Sequence, residues 1–282
     1  MEKDRISTVY IMSKGRPACA TAQMLTDIGY PGEWFIVCGD NDDTLPQYRE
    51  RWGEKKVLVF DWKAYVEKTD LLDPFGVDNG KPSGAAPARN AIRDLSAGRG
   101  EERHWQFDDD FPIFYDIDDR TGRKIRIEDG TLLYGRLWRI AKYGHDAGLL
   151  DIGVDGATLF VDAESRRKVA RQVFCCHNLR SDDKFLPWRG RVADDIVQAL
   201  DTARNPLNGI QLSIKWFGYA YEQSAKNEGG NTDLYLSEGY IRKAGYAILV
   251  SPSSCKVRID AKGPHIRMSY PQPKIIHEFY QR

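Results

Sequence analysis

The chain has 282 residues, and its 41 lysines and arginines balance 41 aspartates and glutamates, so the formal net charge is zero. That length allows one large α/β domain with a full core or two small ones, and the charge balance excludes a globally basic nucleic-acid footprint, leaving only a local patch for any DNA contact. Five cysteines, an odd number that includes the adjacent pair Cys175-Cys176, do not read as a secreted disulfide framework, and the apolar run near Met1 is too short for a signal sequence or membrane span, so a soluble protein in a reducing cytoplasm is expected.

In chain order, residues 7–12 read as a buried strand, 13–17 as a polar loop, and 18–28 as a helix stopped by Gly29-Tyr30-Pro31-Gly32. Residues 34–38 form a second strand ending in Gly39-Asp40-Asn41-Asp42-Asp43, followed by a short helix over 45–52 and a third strand over 57–60. After a Gly/Pro-rich stretch at 73–87, residues 88–97 are helical, Gly98-Arg99-Gly100 ends them, and 103–107 form the fourth strand. Strands separated by helices imply βαβ units and a mostly parallel sheet, whose ligands bind beyond the carboxyl ends of the strands. The loops at 13–17, 39–43 and 108–110 leave three such ends and are expected to converge on one crevice.

The remainder is less regular. Residues 116–127 read as a charged hairpin turning at Thr121-Gly122, 130–143 as a helix, 153–161 and 173–178 as strands, and 179–191 as a polar loop. Residues 194–202 have helical spacing, and 211–216 and 247–250 read as strands. No internal repeat, low-complexity tract or linker interrupts the chain, so one continuous domain over 1–282 is expected.

The run Asp108-Asp109-Asp110 carries the chemistry. Strand alternation sends Asp108 and Asp110 to one side and Asp109 to the other. Two convergent carboxylates invite a hard divalent cation, and Mg²⁺ or Mn²⁺ held by one or two of them completes its shell with substrate phosphates. A solvated acidic turn or an acidic helix start is the plain alternative. No Gly-x-x-x-x-Gly-Lys-[Ser/Thr] run is present, so phosphate is not held by a P-loop. Cys175-Cys176-His177 lacks zinc-site spacing and reads as the end of a buried strand.

The order Ser13-Lys14-Gly15-Arg16-Pro17, Asp40, Gly84-Ala85-Ala86-Pro87-Ala88-Arg89-Asn90 and Asp108-Asp109-Asp110 resembles the nucleotide-sugar half of a GT-A glycosyltransferase, most specifically in the placement of Ala88-Arg89-Asn90 ahead of the acids. Trp188-Arg189-Gly190-Arg191-Val192-Ala193-Asp194-Asp195 resembles the segment that presents the base in inverting members, and Gly263-Pro264-His265 the place where this fold often supplies a further metal ligand. With Asn227-Glu228-Gly229-Gly230, the pattern looks most like the phage TET-associated glycosyltransferases, which sugar-modify hydroxymethylated pyrimidines in DNA. The resemblance implies a Rossmann-like GT-A sheet flanked by helices with an elaborated C-terminal half, residues 1–115 binding the nucleotide sugar and 116–282 the acceptor. It also implies an inverting hexosyltransferase with a UDP-sugar donor, Mn²⁺ or Mg²⁺, and 5-hydroxymethylcytosine or a related base in DNA as acceptor. No membrane and no obligate protein partner is expected, and a phage-encoded enzyme would work in the host cytoplasm.

On that reading a cation bridging the diphosphate stabilises negative charge that grows on the leaving group. Asp110 is the first choice of direct ligand, Asp108 bonds the ribose or binds the metal through water, and His265 closes the shell, although a lone late histidine is otherwise a structural or surface residue. Around the nucleotide, Arg16 neutralises phosphate or covers the base, while the backbone at Ser13 and Gly15, beside Pro17, approaches closely. Asp40 accepts from the uracil or ribose, Asp109 joins Asp108 on the nucleotide side, and Arg89 forks onto phosphate or sugar hydroxyls with Asn90 beside it, a surface salt bridge being the alternative for Arg89. An inverting transferase needs a carboxylate to deprotonate the acceptor; Asp195 is preferred and Asp194 is its neighbour or alternative, with ordinary helix capping as the competing reading.

Beside that base, Trp188 suits stacking on an extruded nucleobase, and Arg189 and Arg191 suit phosphate binding. Residues 215–221 have the same aromatic and basic character, and core packing is the alternative for both stretches. Competing functions are transfer to a glycan, protein or small molecule, a two-metal nuclease or phosphotransferase, and a non-catalytic nucleotide-sugar binder.

Overall fold

The structure is a computed structural model that describes residues 6–72, 84–118, 121, 123–146, 151–154, 173–177, 187–204, 217–220, 245, 247–253, 255–260 and 263–268. Strands β1 (Thr8–Met12), β2 (Trp34–Gly39), β3 (Val57–Phe60) and β4 (Arg103–Asp108) run parallel in the order β3-β2-β1-β4. The sheet is extended past β4 by β8 (Val173–His177) and then β7 (Asp151–Val154), β8 being antiparallel to both neighbours. Every residue of β1 and β2 is buried, as expected of parallel strands covered on both faces.

Alternate side chains of these strands feed two cores. Val9, Ile11, Ile36, Trp105 and Phe107 pack with α1 (Ala20–Asp27), Tyr48 of α2 (Leu45–Trp52) and the apolar stripe Leu133, Leu137, Ile140 and Ala141 of α5 (Gly130–Asp146). Tyr10, Met12, Phe35, Val37 and Phe60 pack on the opposite side with α3 (Trp62–Lys68) and with Ala91 and Ile92 of α4 (Ala86–Gly98). The register sets Val37 and Asp108 opposite Met12, one on each side. The loops after β1, β2 and β4 therefore emerge together.

Beyond β4, strand β5 (Ile113–Ile117) pairs antiparallel with β6 (Lys124–Arg126) and β9 (Phe217–Ala220). This small sheet is joined to the main core by aromatic packing, with ring centroids 4.5 Å apart for Phe111 and Tyr219 and 5.4 Å for Phe114 and Phe217. Helix α6 (Asp194–Arg204) forms a separate cluster through Ile196, Val197 and Leu200 with Ala247, Val250 and Cys255, and β10 (Cys255–Asp260) pairs with β11 (Gly263–Met268) as a hairpin.

The mixed α/β reading, with a parallel sheet flanked by helices, is what the chain forms, and the arrangement is consistent with a Rossmann-like GT-A fold. Some local readings change. Residues 247–250 are helical rather than a strand: Ser251 N donates to Ala247 O at 3.0 Å, and the burial of Ala247 and Val250 beside exposed Leu249 follows a helical spacing that a short apolar run does not disclose. Helix α3 was not expected, although its start carries a cap in which Asp61 accepts from Ala64 N at 2.8 Å. Helix α4 begins at Ala86 rather than 88, because a proline in the first turn is tolerated and Pro87 lies there. Nothing in the pattern over 255–268 suggests the hairpin β10–β11; of the expected strand at 153–161 only Gly153 and Val154 are described, within β7, and the expected strand at 211–216 lies outside the described residues. Among the described residues, no helix is long and apolar enough to cross a membrane.

Two glycines of α5 should respond in opposite directions. Gly130 N donates to Ile28 O at 2.8 Å, and a Cβ at Gly130 would lie 2.5 Å from the backbone of Gly29 and Tyr30; one at Gly135 meets nothing within 4 Å. Gly130→Ala is expected to lose about 1–3 kcal/mol in urea unfolding through overpacking, and Gly135→Ala to gain about 0.5–1 kcal/mol from helix propensity. Changes of the same sign at both positions would contradict this seating of α5.

Candidate functional site

Three loops at the strand ends are locked together by a continuous chain of hydrogen bonds. The Arg16 backbone N donates to the Tyr48 hydroxyl at 2.8 Å, that hydroxyl lies 2.6 Å from Ser13 Oγ, and Ser13 Oγ donates to Asp109 Oδ2 at 2.6 Å. Arg16 Nη1 closes the ring on Asp109 Oδ1 at 3.0 Å. Gly15, at φ 67°, donates its N to Asp42 Oδ2 at 2.9 Å, while Asp42 Oδ1 accepts from the N and Oγ1 of Thr44. Thr21 of α1 holds the acidic turn from the other side, donating to Asp108 O at 2.6 Å and accepting from Phe111 N at 2.9 Å. Pro17 O accepts from Trp52 Nε1 at 2.8 Å, and exposed Asp40 accepts from Trp62 N at 3.0 Å, which ties it to the start of α3. Tyr48, Asp42 and Thr21 were not singled out in the sequence, where an ordinary helix tyrosine, loop acid or helix threonine carries no sign of its partner.

The three acids divide their work. Asp109 is turned into the protein, and its carboxyl is pushed up by burial against the opposing pull of Arg16 and Ser13. Asp108 ends β4; burial pushes its carboxyl up to about 8 despite Arg89, with the nearby charges of Asp110, Asp194 and Asp109 adding to the rise. Asp110 is also buried at this strand end.

Arg89 connects these acids to the other half of the site. It lies in the first turn of α4, is 3% exposed, and donates from Nε to Asp194 Oδ2 at 2.7 Å and from Nη2 to Asp108 Oδ1 at 3.0 Å. The guanidinium sits 4.7 Å from the centroid of the Trp188 ring. Burial alone would lower its pKa, but Asp108, Asp194 and Asp195 overcome that and raise it, so the cation is secure. Next to it, the Asn90 amide makes a two-point clamp on the backbone of Trp188, donating to its O at 2.9 Å and accepting from its N at 2.8 Å.

The same segment hydrogen-bonds to residues 70–71 through Gly190 N and Arg191 N. A Cβ at Gly84, whose φ is 71°, would fall 1.9 Å from Arg191 O, so only glycine permits this approach. Ala193, at φ 58°, then turns the chain into α6, a conformation a non-glycine residue holds only when its surroundings impose it. Asp194 emerges buried on Arg89; Asp195 is half-buried, with Oδ1 accepting from Ile196 N at 2.8 Å.

The fold gives several of the expected ligand-binding residues protein partners. The fork of Arg89 is taken by Asp108 and Asp194, and the amide of Asn90 by Trp188, so both residues join protein to protein where nucleotide contacts were expected. Trp188 is fully buried and packs on Ala86, and Arg191 is 1% exposed, so neither presents a stacking or phosphate-binding surface. Arg189 is 28% exposed, and its guanidinium pairs with Asp201 at 2.9 Å and Asp70 at 3.1 Å. Phe217 and Tyr219 are core residues. Cys175 to His177 lie in β8 as expected, with Cys176 opposite His104. His265 lies in β11 opposite Arg258, but its side chain is outside the described residues, as is the Asn227 to Gly230 stretch.

The donor set fits a hard cation bound together with phosphate. Among the described residues no group of three His, Cys, Asp or Glu side chains could hold a metal alone. Asp110 and Asp108 are two carboxylates, the number a Mg²⁺ or Mn²⁺ ion takes when phosphates complete its shell. Among the described residues, Arg16 pairs with Asp109, and Arg89 bonds Asp108 and Asp194 with Asp195 nearby.

A family model described as TET-Associated Glycosyltransferase matches residues 7–222. That span holds the whole six-stranded sheet, the three loops, Arg89 and the start of α6. No curated protein matches the chain.

The raised carboxyl of Asp108 has a testable consequence for stability. Its folded value of about 8 exceeds the ordinary 3.8, so between those limits the folded state holds a proton that the unfolded chain releases, and stability falls as pH rises through that window. Asp108→Asn removes this titration. Urea unfolding from about pH 5 to about pH 8.5 should give a shallower decline in the variant than in the wild type; parallel curves would contradict the upward shift of this carboxyl.

Proposed function

Because the chain belongs to the TET-associated glycosyltransferase family and is a glycosyltransferase, we propose that it moves a sugar from a UDP-sugar to a hydroxymethylated pyrimidine in phage DNA, 5-hydroxymethylcytosine foremost. The observation that carries this reading is the meeting of the β4 acids with the acids that open α6, across one guanidinium. Donor chemistry needs carboxylates near a diphosphate; acceptor chemistry needs a separate carboxylate within reach of the attacking hydroxyl. Arg89 bonds one acid of each kind, Asp108 and Asp194, which supports this reading.

A bound Mn²⁺ or Mg²⁺ would supply positive charge for the departing UDP. Asp110 and Asp108 would hold it, or Asp108 would bond the ribose, and His265 would be the further ligand suggested by the family pattern. Ser13, Gly15, Arg16 and Pro17 would line the diphosphate, with Asp109 fixing Ser13 and Arg16 by hydrogen bonds. Asp40, at the exposed rim, receives the uracil or ribose. Asp195 takes the proton from the acceptor hydroxyl as the sugar inverts. Asp194 is the weaker candidate because its Oδ2 is already bonded to Arg89 at 2.7 Å.

A second reading keeps the donor and changes the acceptor to a glycan, a protein or a small molecule. The burial of Trp188 and Arg191 favours it, since the residues expected to grip DNA lie inside the protein. Work in a host cytoplasm belongs to the first reading.

The separating experiment is mass spectrometry of nucleosides after hydroxymethylated DNA is incubated with a panel of UDP-sugars and Mn²⁺. A mass increase of one hexose on the modified base is expected; UDP release with unmodified DNA would transfer the proposal to the second reading. In the same assay Asp195→Asn should keep its UDP-sugar affinity and lose turnover on the order of 10²–10⁴-fold. Asp110→Asn should lose Mn²⁺-dependent UDP binding in calorimetry. Normal turnover in the first variant, or unchanged binding in the second, would overturn the respective role.

A further inference from the structure

Arg89 and Asn90 are adjacent in α4, and each reaches the acceptor segment by a different physical means. Asn90 makes neutral hydrogen bonds to the Trp188 backbone, and Arg89 makes charged bonds to the Asp194 side chain. Only Arg89 also bonds Asp108, at 3.0 Å. One buried positive charge therefore serves two carboxylates, one at the expected metal site and one beside the expected base.

We propose that Arg89 is a positioning residue with two opposed effects: it holds Asp194, and so the start of α6, in the place that turnover requires, and it weakens metal binding by competing for Asp108. The proposal rests on the glycosyltransferase site described above. The opposition follows from charge. A guanidinium bonded to Asp108 repels an incoming divalent cation and occupies one of the carboxylate oxygens that the cation or its water would use. The same guanidinium cannot be withdrawn from Asp194 without leaving a buried carboxylate beside Trp188 with one fewer donor. Lysine would keep the charge but lose the fork, because an ammonium on a flexible stem does not present two fixed donors to carboxylates on different elements. Asn90 provides the control, since it tethers the same segment without charge.

The experiment measures binding of Mn²⁺ in the presence of UDP by electron paramagnetic resonance, and transfer kinetics on whichever acceptor the wild type modifies. Arg89→Gln should bind Mn²⁺ severalfold to about tenfold more tightly than wild type, as loss of a nearby cation requires, while kcat falls about 10–100-fold. Arg89→Lys should lose kcat with Mn²⁺ affinity little changed, and Asn90→Ala should do the same through loss of its clamp. UDP-sugar KM should move less than kcat in all three. If Arg89→Gln does not fold, Arg89→Gln combined with Asp194→Asn removes the pair as neutral groups and still releases Asp108, so it should bind Mn²⁺ more tightly than Asp194→Asn alone.

Weaker or unchanged Mn²⁺ binding in the folded charge-removing variant would overturn the proposal, because a purely structural residue would not tighten a metal site. Absence of Mn²⁺ binding in the wild type with UDP would overturn the metal site itself, and this proposal with it. The metal measurement needs no acceptor, so it separates failure of Arg89 coupling from failure of the acceptor assignment.

Discussion

A charged guanidinium buried to 3% exposure must be neutralised where it lies, and for Arg89 the neutralising groups come from two distant parts of the chain. Removing such a cation from water is costly unless its hydrogen bonds are made. The fold meets this demand with Asp108 from the end of β4, Asp194 from the start of α6, and the face of Trp188. Once those groups are in place, the segment that carries Trp188 can go almost nowhere else. Asn90 fixes its backbone, Gly84 allows it to approach, and residues 70–71 bond its far side.

The rest of the site is built around the parallel sheet. Because β1, β2 and β4 are neighbours in register, their carboxyl ends are side by side, and the loops that leave them must share hydrogen-bond partners. Tyr48, Ser13 and Asp109 meet this need with one connected chain, which makes Asp109 a structural acid among acids expected to bind ligand. What remains at the opening is Asp108 and Asp110, two carboxylates that a divalent cation would bridge to a diphosphate.

The sequence disclosed what depends on local pattern. The buried strands, the acids at the end of β4, the helix at Asp194 and the hairpin at β5–β6 each announce themselves by spacing, apolar runs or turn residues. The partner of a side chain does not. Arg89 reads as a ligand-binding arginine because nothing near it in sequence tells that Asp108 and Asp194 will flank it. Trp188, Arg189 and Arg191 read as a nucleic-acid surface because composition reports residue type and not burial; in the fold the tryptophan is a shelf for Arg89, and Arg189 is occupied by Asp201 and Asp70. The Asp61 cap of α3 was visible in principle, but a seven-residue helix next to a strand leaves little periodicity to read.

The most direct test of the central claim, that one guanidinium binds the two halves of the site, is a double-mutant cycle in unfolding free energy between Asp108→Asn and Asp194→Asn at about pH 9, where Asp108 is ionised. Each single variant leaves Arg89 the other hydrogen-bonded carboxylate, with Asp195 nearby in both, and relieves repulsion between the two acids, so each alone should be mild. Together they leave the buried cation without either charged hydrogen bond, and the double variant should be less stable than the sum of the singles by on the order of 1 kcal/mol or more. Additivity within about 0.5 kcal/mol would mean that the two carboxylates do not share Arg89, and would contradict the account.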